Sequence, residues 1–181
     1  MKFIFPNTIE PCEIIKIRKN LKLTQKQLAC FLNVDEKTLR NWENSKAPIK
    51  STAVPMLIML KYNPNLIDKY TLNEHEKGIR VFYMHEQDIC AIIDVDYKNN
   101  TVEVKNYIDN PIYKPFGRNN SPTVEDFENF LKDRCVPSDR YDIKTYLKDL
   151  NIPFYDPLLI VEKTNGRSVE DNFWLKVEHN K

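Results

Sequence analysis

The stretch that decides the fold runs from Leu23 to Asn44 and reads LTQKQLACFLNVDEKTLRNWEN. Thr24 is a favourable N-cap residue, and the apolar side chains that follow it recur at helical spacing on one face: Leu28, Phe31 and Leu32. Asn33 predicts the end of this helix, because asparagine tolerates a left-handed backbone. The first half of the stretch therefore predicts a short amphipathic helix.

A second helix is expected immediately afterwards. Asp35 is its expected N-cap, and residues 36–44 place Leu39 and Trp42 on one side of the helical wheel. The opposite side carries polar side chains that can reach the edges of bases: Lys37, Arg40, Asn41 and Asn44. Two short helices joined by about four residues have the geometry of a helix-turn-helix.

This stretch resembles the XRE family of bacterial and phage regulators, the repressor and Cro type. Leu23–Ala29 and Lys37–Glu43 carry the resemblance, and Asn33 stands where the family most often has glycine. The segment from Pro48 to Asn63 is similar to the variant found in many type II antitoxins. The resemblance implies a lambda-repressor-like all-α domain that binds an operator DNA duplex as a homodimer.

Ten residues of this region are the candidate DNA contacts: Thr24, Gln25, Lys26, Glu36, Lys37, Thr38, Arg40, Asn41, Asn44 and Lys46. Arginine pairs bidentately with guanine and asparagine with adenine in the major groove, which favours Arg40 and Asn41 as readers of sequence. The resemblance implies that Gln25 binds a backbone phosphate together with helix N-terminal amides. The lysines would add attraction to phosphate at any sequence.

Two acidic residues flank the predicted reading face. The negative charge of Glu36 and Glu43 opposes phosphate binding unless they orient a basic neighbour or accept a hydrogen bond from cytosine, and the sequence leaves both roles open. Trp42 is expected to be a core anchor, because its helical periodicity matches that of Leu39.

The net charge of +1 conceals an asymmetry along the chain. Residues 1–63 carry eleven basic and five acidic side chains, whereas residues 64–181 carry sixteen and twenty-one. This pattern predicts a basic module that meets an anionic partner and an acidic module with another task. In the stretch from Tyr62 to Gly78, the apolar residues change from helical periodicity to the alternation typical of strands, which predicts a hinge there. We therefore expect two domains, residues 1–66 and 67–181.

The second domain is expected to be α+β. Strands are predicted by three β-branched and aromatic runs, at Ile79–Tyr83, Ile89–Val95 and Thr101–Ile108, which would form an antiparallel meander. Helix signals follow at three places: a Thr123 capping box, Asp139–Leu150 behind a Ser138 cap, and Leu158–Thr164 behind Asp156-Pro157. The predicted fold is thus an all-α domain of five helices followed by a small domain of three strands and three helices. The Phe3-Ile4-Phe5 start is interpreted as a short strand or an arm.

No cofactor or metal is expected. With three glycines the chain cannot form a glycine-rich phosphate loop, and its four cysteines and three histidines lack any ligand spacing. One enzymatic alternative remains, since Asp94 or Asp96 followed by Glu103-Val104-Lys105 is similar to the arrangement of Mg²⁺-dependent nucleases. Alternating charges on the wet face of a hairpin produce the same pattern, so we expect no enzyme.

The last third of the chain gives one further signal. Residues 134–174 resemble a segment found in bacterial regulators and in proteins related to the HipA-like kinases, but contain none of the kinase's catalytic motifs. We interpret four of these residues as a structural network: Arg134, Arg140, Asp171 and Trp174.

The sequence therefore predicts a sequence-specific DNA-binding repressor, in its most specific version the autoregulating antitoxin of a toxin-antitoxin pair. The predicted partners are an operator duplex, a second copy of the chain and a protein toxin. A phage-type or stand-alone repressor, a protein-interaction module and a metal-dependent nuclease are the alternatives. No run approaches the roughly 20 apolar residues of a membrane span and no secretory signal pattern occurs, so a cytoplasmic location is expected.

Overall fold

The fold is α+β and divides into two compact units, Met1–Leu72 and Asn73–Lys181. The computed structural model describes residue 4, residues 6–72 and residues 78–179. The division falls at Leu72, beyond the boundary expected at residue 66. Of the Phe3-Ile4-Phe5 segment only Ile4 belongs to the described residues; it is exposed and not in a strand. Part of the expected hinge, residues 73–77, also lies outside the described residues.

The first unit is built on five helices: α1 (Pro11–Asn20), α2 (Gln25–Phe31), α3 (Glu36–Glu43), α4 (Val54–Tyr62) and α5 (Asn65–Tyr70). Each contributes apolar side chains to one core, which includes the buried Ile14, Leu28, Leu39, Leu57 and Ile67. α5 lies within the stretch expected to be a hinge. Its single buried residue, Ile67, joins this core, which extends the first unit past the expected boundary.

The prediction that the first unit is all-α is wrong. Thr8–Ile9 (β1) pairs antiparallel with Ile49–Lys50 (β2), bringing the entry to α1 beside the segment that follows α3. Ile9 is buried at 2% exposure in the shared core. Two-residue strands are too short for alternation to appear in a sequence, so only the tertiary pairing of distant segments defines them.

The second unit contains a four-stranded antiparallel sheet with the order β5-β4-β3-β6: β3 (Ile79–His85), β4 (Asp88–Asp96), β5 (Thr101–Asn106) and β6 (Phe173–His179). The first three strands fall in the runs predicted from the sequence. The expected total of three strands is wrong, because β6 pairs with β3 along its whole length, from Ile79 opposite His179 to His85 opposite Phe173. That pairing joins segments far apart in the chain, which local periodicity does not reveal.

Three helices complete the unit: α6 (Val124–Asp133), α7 (Ile143–Asp149) and α8 (Pro157–Thr164). α6 and α8 share a core with the strands, whereas Leu147 of α7 packs in a second cluster with Ile160 of α8. α6 begins with the expected capping box, in which Thr123 and Asp126 each accept the other's backbone N–H. α7 begins at Ile143 and not at Asp139, because residues 138–142 form turns in which Arg140 pairs with Asp142. Within the described residues, no helix has the length and apolar character needed to cross a membrane.

Candidate nucleic-acid interface

α2 and α3 are joined by a short turn whose geometry the sequence sets locally. Thr24 Oγ1 accepts the N–H of Gln27 at 3.2 Å, and Gln27 Oε1 accepts the N–H of Thr24 at 2.8 Å, closing a reciprocal cap at the start of α2. Asn33 has the left-handed backbone expected of it, with φ of 53°. The Val34 N–H then bonds back to the Ala29 carbonyl at 3.0 Å, which redirects the chain into α3.

The inner side of α3 is anchored in the core. Leu39 is fully buried, and the half-buried Trp42 packs against the same cluster, in line with its expected role as an anchor. Asp35 occupies the N-cap position predicted for it, but its side chain makes no capping hydrogen bond. The orientation of α3 is therefore fixed by its buried side and by the contacts at its C-terminal end.

Those C-terminal contacts centre on Glu43, a buried residue that is 9% exposed. Its two oxygens accept Arg18 Nε at 2.7 Å and Arg18 Nη2 at 2.9 Å, and Gln25 Nε2 donates to Oε2 at 2.7 Å. Arg18 lies on α1 and Gln25 is the first residue of α2. One carboxylate therefore ties together three helices, with the paired geometry that arginine and carboxylate favour.

The charge state of this network follows from its contacts. Burial by itself raises the pKa of Glu43, but the hydrogen bonds from Arg18 and Gln25 outweigh it and hold that pKa below its ordinary value of 4.5. The hydrogen bond to Glu43 raises the pKa of the Arg18 guanidinium above its ordinary value. Of the roles left open for Glu43, the structure shows that of a partner for a basic neighbour, since its buried carboxylate is paired with Arg18 inside the domain.

Gln25 is placed differently from the phosphate contact expected of it. Its side-chain Nε2 donates a hydrogen bond to Glu43 Oε2, which holds the side chain against the domain at the start of α2. Sequence reasoning missed this network, although one signal was present. Arg18 follows the buried Ile14 by four residues on α1, and an arginine on the apolar face of a helix calls for a carboxylate partner.

The outer side of α3 is a polar surface, which we call the α3 face. Its four members are all exposed: Lys37, Arg40, Asn41 and Asn44. Arg40 Nη2 donates to Glu36 Oε1 at 2.8 Å across one helical turn, and its side chain is 56% exposed. Glu36 therefore orients Arg40 along the helix, while the guanidinium stays open to solvent.

The other predicted contacts lie before, within and after α3 in the sequence. Thr24, Lys26 and Lys46 are exposed, whereas Thr38 is half-buried on the flank of α3. Thr24 has its hydroxyl occupied by the α2 cap. The structure thus gathers the ten predicted residues on α2, α3 and the segment after α3, with Gln25 turned inward and the exposed cations on the outside.

The two aspartates of the nuclease alternative, Asp94 and Asp96, both accept hydrogen bonds from nearby groups of the second unit. Asp94 accepts Arg80 Nε and Nη2, both at 2.6 Å, so its carboxylate serves a bidentate ion pair. Asp96 accepts the backbone N–H groups of Lys98 and Asn99 and thereby shapes the turn between β4 and β5. Among the residues that the structure describes, no three metal-binding side chains come together.

No known family model matches the chain, and a search of curated proteins finds no match.

Proposed function

We propose that this protein is a sequence-specific DNA-binding transcriptional regulator whose α3 enters the major groove. α2 and α3 would form a helix-turn-helix, with α2 crossing the DNA backbone and α3 reading base edges. A homodimer would place two copies of α3 on the half-sites of a two-fold operator and repress transcription from it.

One observation carries the proposal, namely the two-sided character of α3. Leu39, Trp42 and Glu43 hold its inner side, while Lys37 and Arg40 belong to an outer side that is exposed and polar. An arginine and asparagines on the exposed side of a rigidly held helix are the groups that pair with guanine and adenine in the major groove, at about 1–3 kcal/mol of discrimination for each good pair.

The charge of the first unit supports the same function. Residues 1–72 carry twelve basic and six acidic side chains, and the exposed Lys26, Lys37 and Lys46 lie on or beside the α3 face. Because Glu43 is neutralised by Arg18 inside the domain, its charge is not presented to a phosphate backbone. Each lysine that neutralises a phosphate would add about 0.9 to the slope of log affinity against log salt.

The test is a salt titration of binding to the DNA upstream of the protein's own gene, with random DNA of equal length as the reference. Wild-type protein should prefer the native sequence, and its affinity should fall linearly with log salt. Arg40→Ala should lose about 1–3 kcal/mol of that preference while keeping most of the nonspecific binding. Lys46→Ala should instead weaken both duplexes alike and reduce the salt slope by about one.

A matched control is Arg140→Ala in the second unit. Arg140 is also exposed and also pairs with a nearby carboxylate, that of Asp142, so it reports what loss of an ordinary surface arginine does. If Arg40→Ala and Arg140→Ala have equal effects on the sequence preference, α3 is not the reading helix. Indifference of the wild-type protein to DNA at low salt would contradict the function itself.

The antitoxin version of this regulator is the form we favour, because the second unit is acidic. Residues 73–181 carry fifteen basic and twenty acidic side chains, which suits a surface that covers a basic protein. The test is co-expression with the protein encoded beside this gene. Rescue of growth and joint purification would support an antitoxin, whereas operator binding without either result would indicate a stand-alone repressor.

A further inference from the structure

β5 forms one edge of the sheet in the second unit, and its outer backbone groups take no partner within the described residues. The Tyr107 N–H, just beyond β5, bonds to the Cys90 carbonyl of β4 at 2.9 Å. Because backbone groups alternate in direction along a strand, the odd-numbered residues of β5 also direct their N–H and C=O groups toward β4. The N–H and C=O groups of Val102 and Val104 therefore point away from the sheet. Such a row is a template for one more antiparallel strand.

The opposite edge of the sheet is closed by the protein's own chain. On β6, the outward N–H of Leu175 donates to the Asn165 carbonyl at 2.7 Å, so the turn after α8 covers that strand. Trp174 Nε1 donates to the Glu86 carbonyl at 2.8 Å and holds β6 against the turn between β3 and β4. The two edges thus differ, since β6 is covered at its centre and β5 is not.

The side chains of β5 specify which strand the open edge fits. Val102 and Val104 pack against the core of the second unit, whereas Glu103 and Lys105 alternate with them on the other side of the sheet. When a second β5 is laid antiparallel with Val104 opposite Val104, Glu103 of each copy lies opposite Lys105 of the other. Opposite charges at directly facing positions stabilise a strand pair.

The neighbouring registers are disfavoured by the same two charges. A shift by two residues places Glu103 opposite Glu103, or Lys105 opposite Lys105, and directly facing like charges destabilise a strand pair. A shift by one residue would turn the valines to the charged side of the sheet and also misalign the outward backbone groups. In the register with Val104 on the two-fold axis, opposite charges face each other, the valines stay on the core side of the sheet and the outward backbone groups are aligned.

We propose that β5 pairs antiparallel with β5 of a second copy about a two-fold axis at Val104, forming one continuous eight-stranded sheet. The inference deepens the homodimer of the proposed function by assigning its interface, and it rests on that proposal for its role on DNA. Because its observations come from the β5 edge alone, it is tested without DNA and can fail separately. The dimer carries one first unit on each half, so it supplies two reading helices if the regulator proposal is also correct.

The expected strength of this dimer is modest. Pairing along one six-residue strand gives a contact below the roughly 1,200 Å² that stable interfaces bury. Dimerisation should therefore depend on protein concentration in the micromolar range. Binding of both first units to one DNA duplex would raise the effective concentration of the two strands and strengthen the pairing.

Sedimentation equilibrium of the DNA-free, full-length protein tests the proposal through a charge swap. Glu103→Lys leaves only positive charges facing each other in the register, and Lys105→Glu leaves only negative ones, so each variant should dimerise at least about tenfold more weakly than wild type. The double variant Glu103→Lys/Lys105→Glu exchanges the two charges and should recover the wild-type affinity. An equimolar mixture of the two single variants should form a heterodimer with about the wild-type affinity, although each variant alone dimerises weakly.

Two further variants separate pairing from folding. Val104→Pro removes an outward N–H and so should abolish dimerisation while keeping the circular dichroism spectrum, since edge strands tolerate proline there. Lys98→Glu reverses a charge in the adjoining turn, outside the paired segment, and should leave dimerisation unchanged. A wild-type protein that stays monomeric, single variants that dimerise normally, or a mixture that forms no heterodimer would each overturn the proposal.

Discussion

At the scale of single residues, Glu43 determines how α3 is held. Its buried carboxylate receives hydrogen bonds from Arg18 on α1 and Gln25 on α2, so it connects α3 to both preceding helices. Loss of one partner of such a buried pair leaves the other charge without compensation, which costs more than the pair contributes on balance. The carboxylate thus positions the candidate DNA-binding surface without belonging to it.

Glu43→Gln is expected to lower the free energy of unfolding by about 3 kcal/mol, because it leaves the Arg18 guanidinium half-buried beside a neutral amide. Urea denaturation followed by circular dichroism measures this effect. The control is Glu36→Gln, which removes the exposed pair with Arg40 and should cost no more than about 0.5 kcal/mol. Equal effects of the two substitutions would show that Glu43 has no special role in stability.

The same residue predicts a pH dependence. Because the pKa of Glu43 is lower in the folded chain than its ordinary value of 4.5, its contribution to stability is complete above that value. The contribution is lost as the pH falls through the folded pKa, where the carboxylate takes up a proton. The stability difference between wild type and Glu43→Gln should therefore be constant from pH 7 to about pH 5 and shrink below pH 4.5. A difference that grows on acidification would contradict the charged pair.

Gly78 sits at the start of β3 in a conformation that other residues rarely adopt, with φ of 84°. A Cβ atom there would lie 2.0 Å from the Val95 carbonyl oxygen of β4, so backbone would have to move. Gly78→Ala should cost about 3 kcal/mol or more in urea denaturation. Gly117→Ala is the matched control, since it has φ of 56° but nothing within 4 Å, and it should cost only about 1 kcal/mol.

At the scale of elements, Arg134 ties the C-terminal end of α6 to β6. It donates through Nε to the Gly166 carbonyl at 2.9 Å, through Nη2 to the Phe173 carbonyl at 2.7 Å, and to both carboxylate oxygens of Asp171. The hydrogen bonds from Arg134 hold the pKa of Asp171 below its ordinary value of 3.8. This arrangement agrees in part with the network predicted from the sequence, whereas Arg140 and Trp174 bond elsewhere.

Arg134→Lys should lower the free energy of unfolding by about 2–3 kcal/mol, because a single ammonium group cannot reach the three acceptors that the planar guanidinium serves at once. The measurement is urea denaturation monitored by near-ultraviolet circular dichroism, which reports the packing of the aromatic side chains, Trp174 on β6 among them. Arg140→Lys provides the comparison and should change stability by less than about 0.5 kcal/mol, since its pair with Asp142 is exposed. A silent Arg134→Lys would mean that β6 is held by its pairing with β3 and by the Leu175 and Trp174 hydrogen bonds, without a contribution from Arg134.

At the scale of the whole molecule, the chain consists of two units with separate cores. The core of the first unit comprises residues between Ile9 and Ile67, whereas the two clusters of the second unit draw on residues from Ile79 to Val177. The basic and acidic charges are divided between the same two units. DNA binding and pairing of β5 are accordingly proposed for different units, and each has its own test.

Fragments 1–72 and 73–181, produced separately, should each fold with a dispersed amide spectrum in two-dimensional NMR, because each retains its complete hydrophobic clusters. The larger fragment should also unfold cooperatively in urea. The smaller fragment should be the less stable, since a unit of this size buries a smaller fraction of its surface. A collapsed spectrum for either fragment would show that its core depends on the other unit.

The sequence by itself determined the elements whose signals are local. Thr24 and Thr123 initiate helices through caps completed within three residues, Asn33 and Asn165 adopt left-handed backbone, and the apolar periodicity of α3 places its polar side outward. The α+β class and the first three strands of the sheet follow from the same kind of pattern. These features arise because neighbouring residues satisfy each other's hydrogen bonds and share one face of a helix or strand.

Only the tertiary structure decided the features that join distant segments. It paired β1 with β2 and β6 with β3, it brought Arg18 and Gln25 to the carboxylate of Glu43, and, among the described residues, it left the β5 edge open while covering β6. No spacing in the chain encodes these contacts, because they depend on which surfaces meet once the cores have formed. The polar character of the α3 face was therefore accessible from local periodicity, whereas its support and the proposed dimer interface were defined by long-range packing.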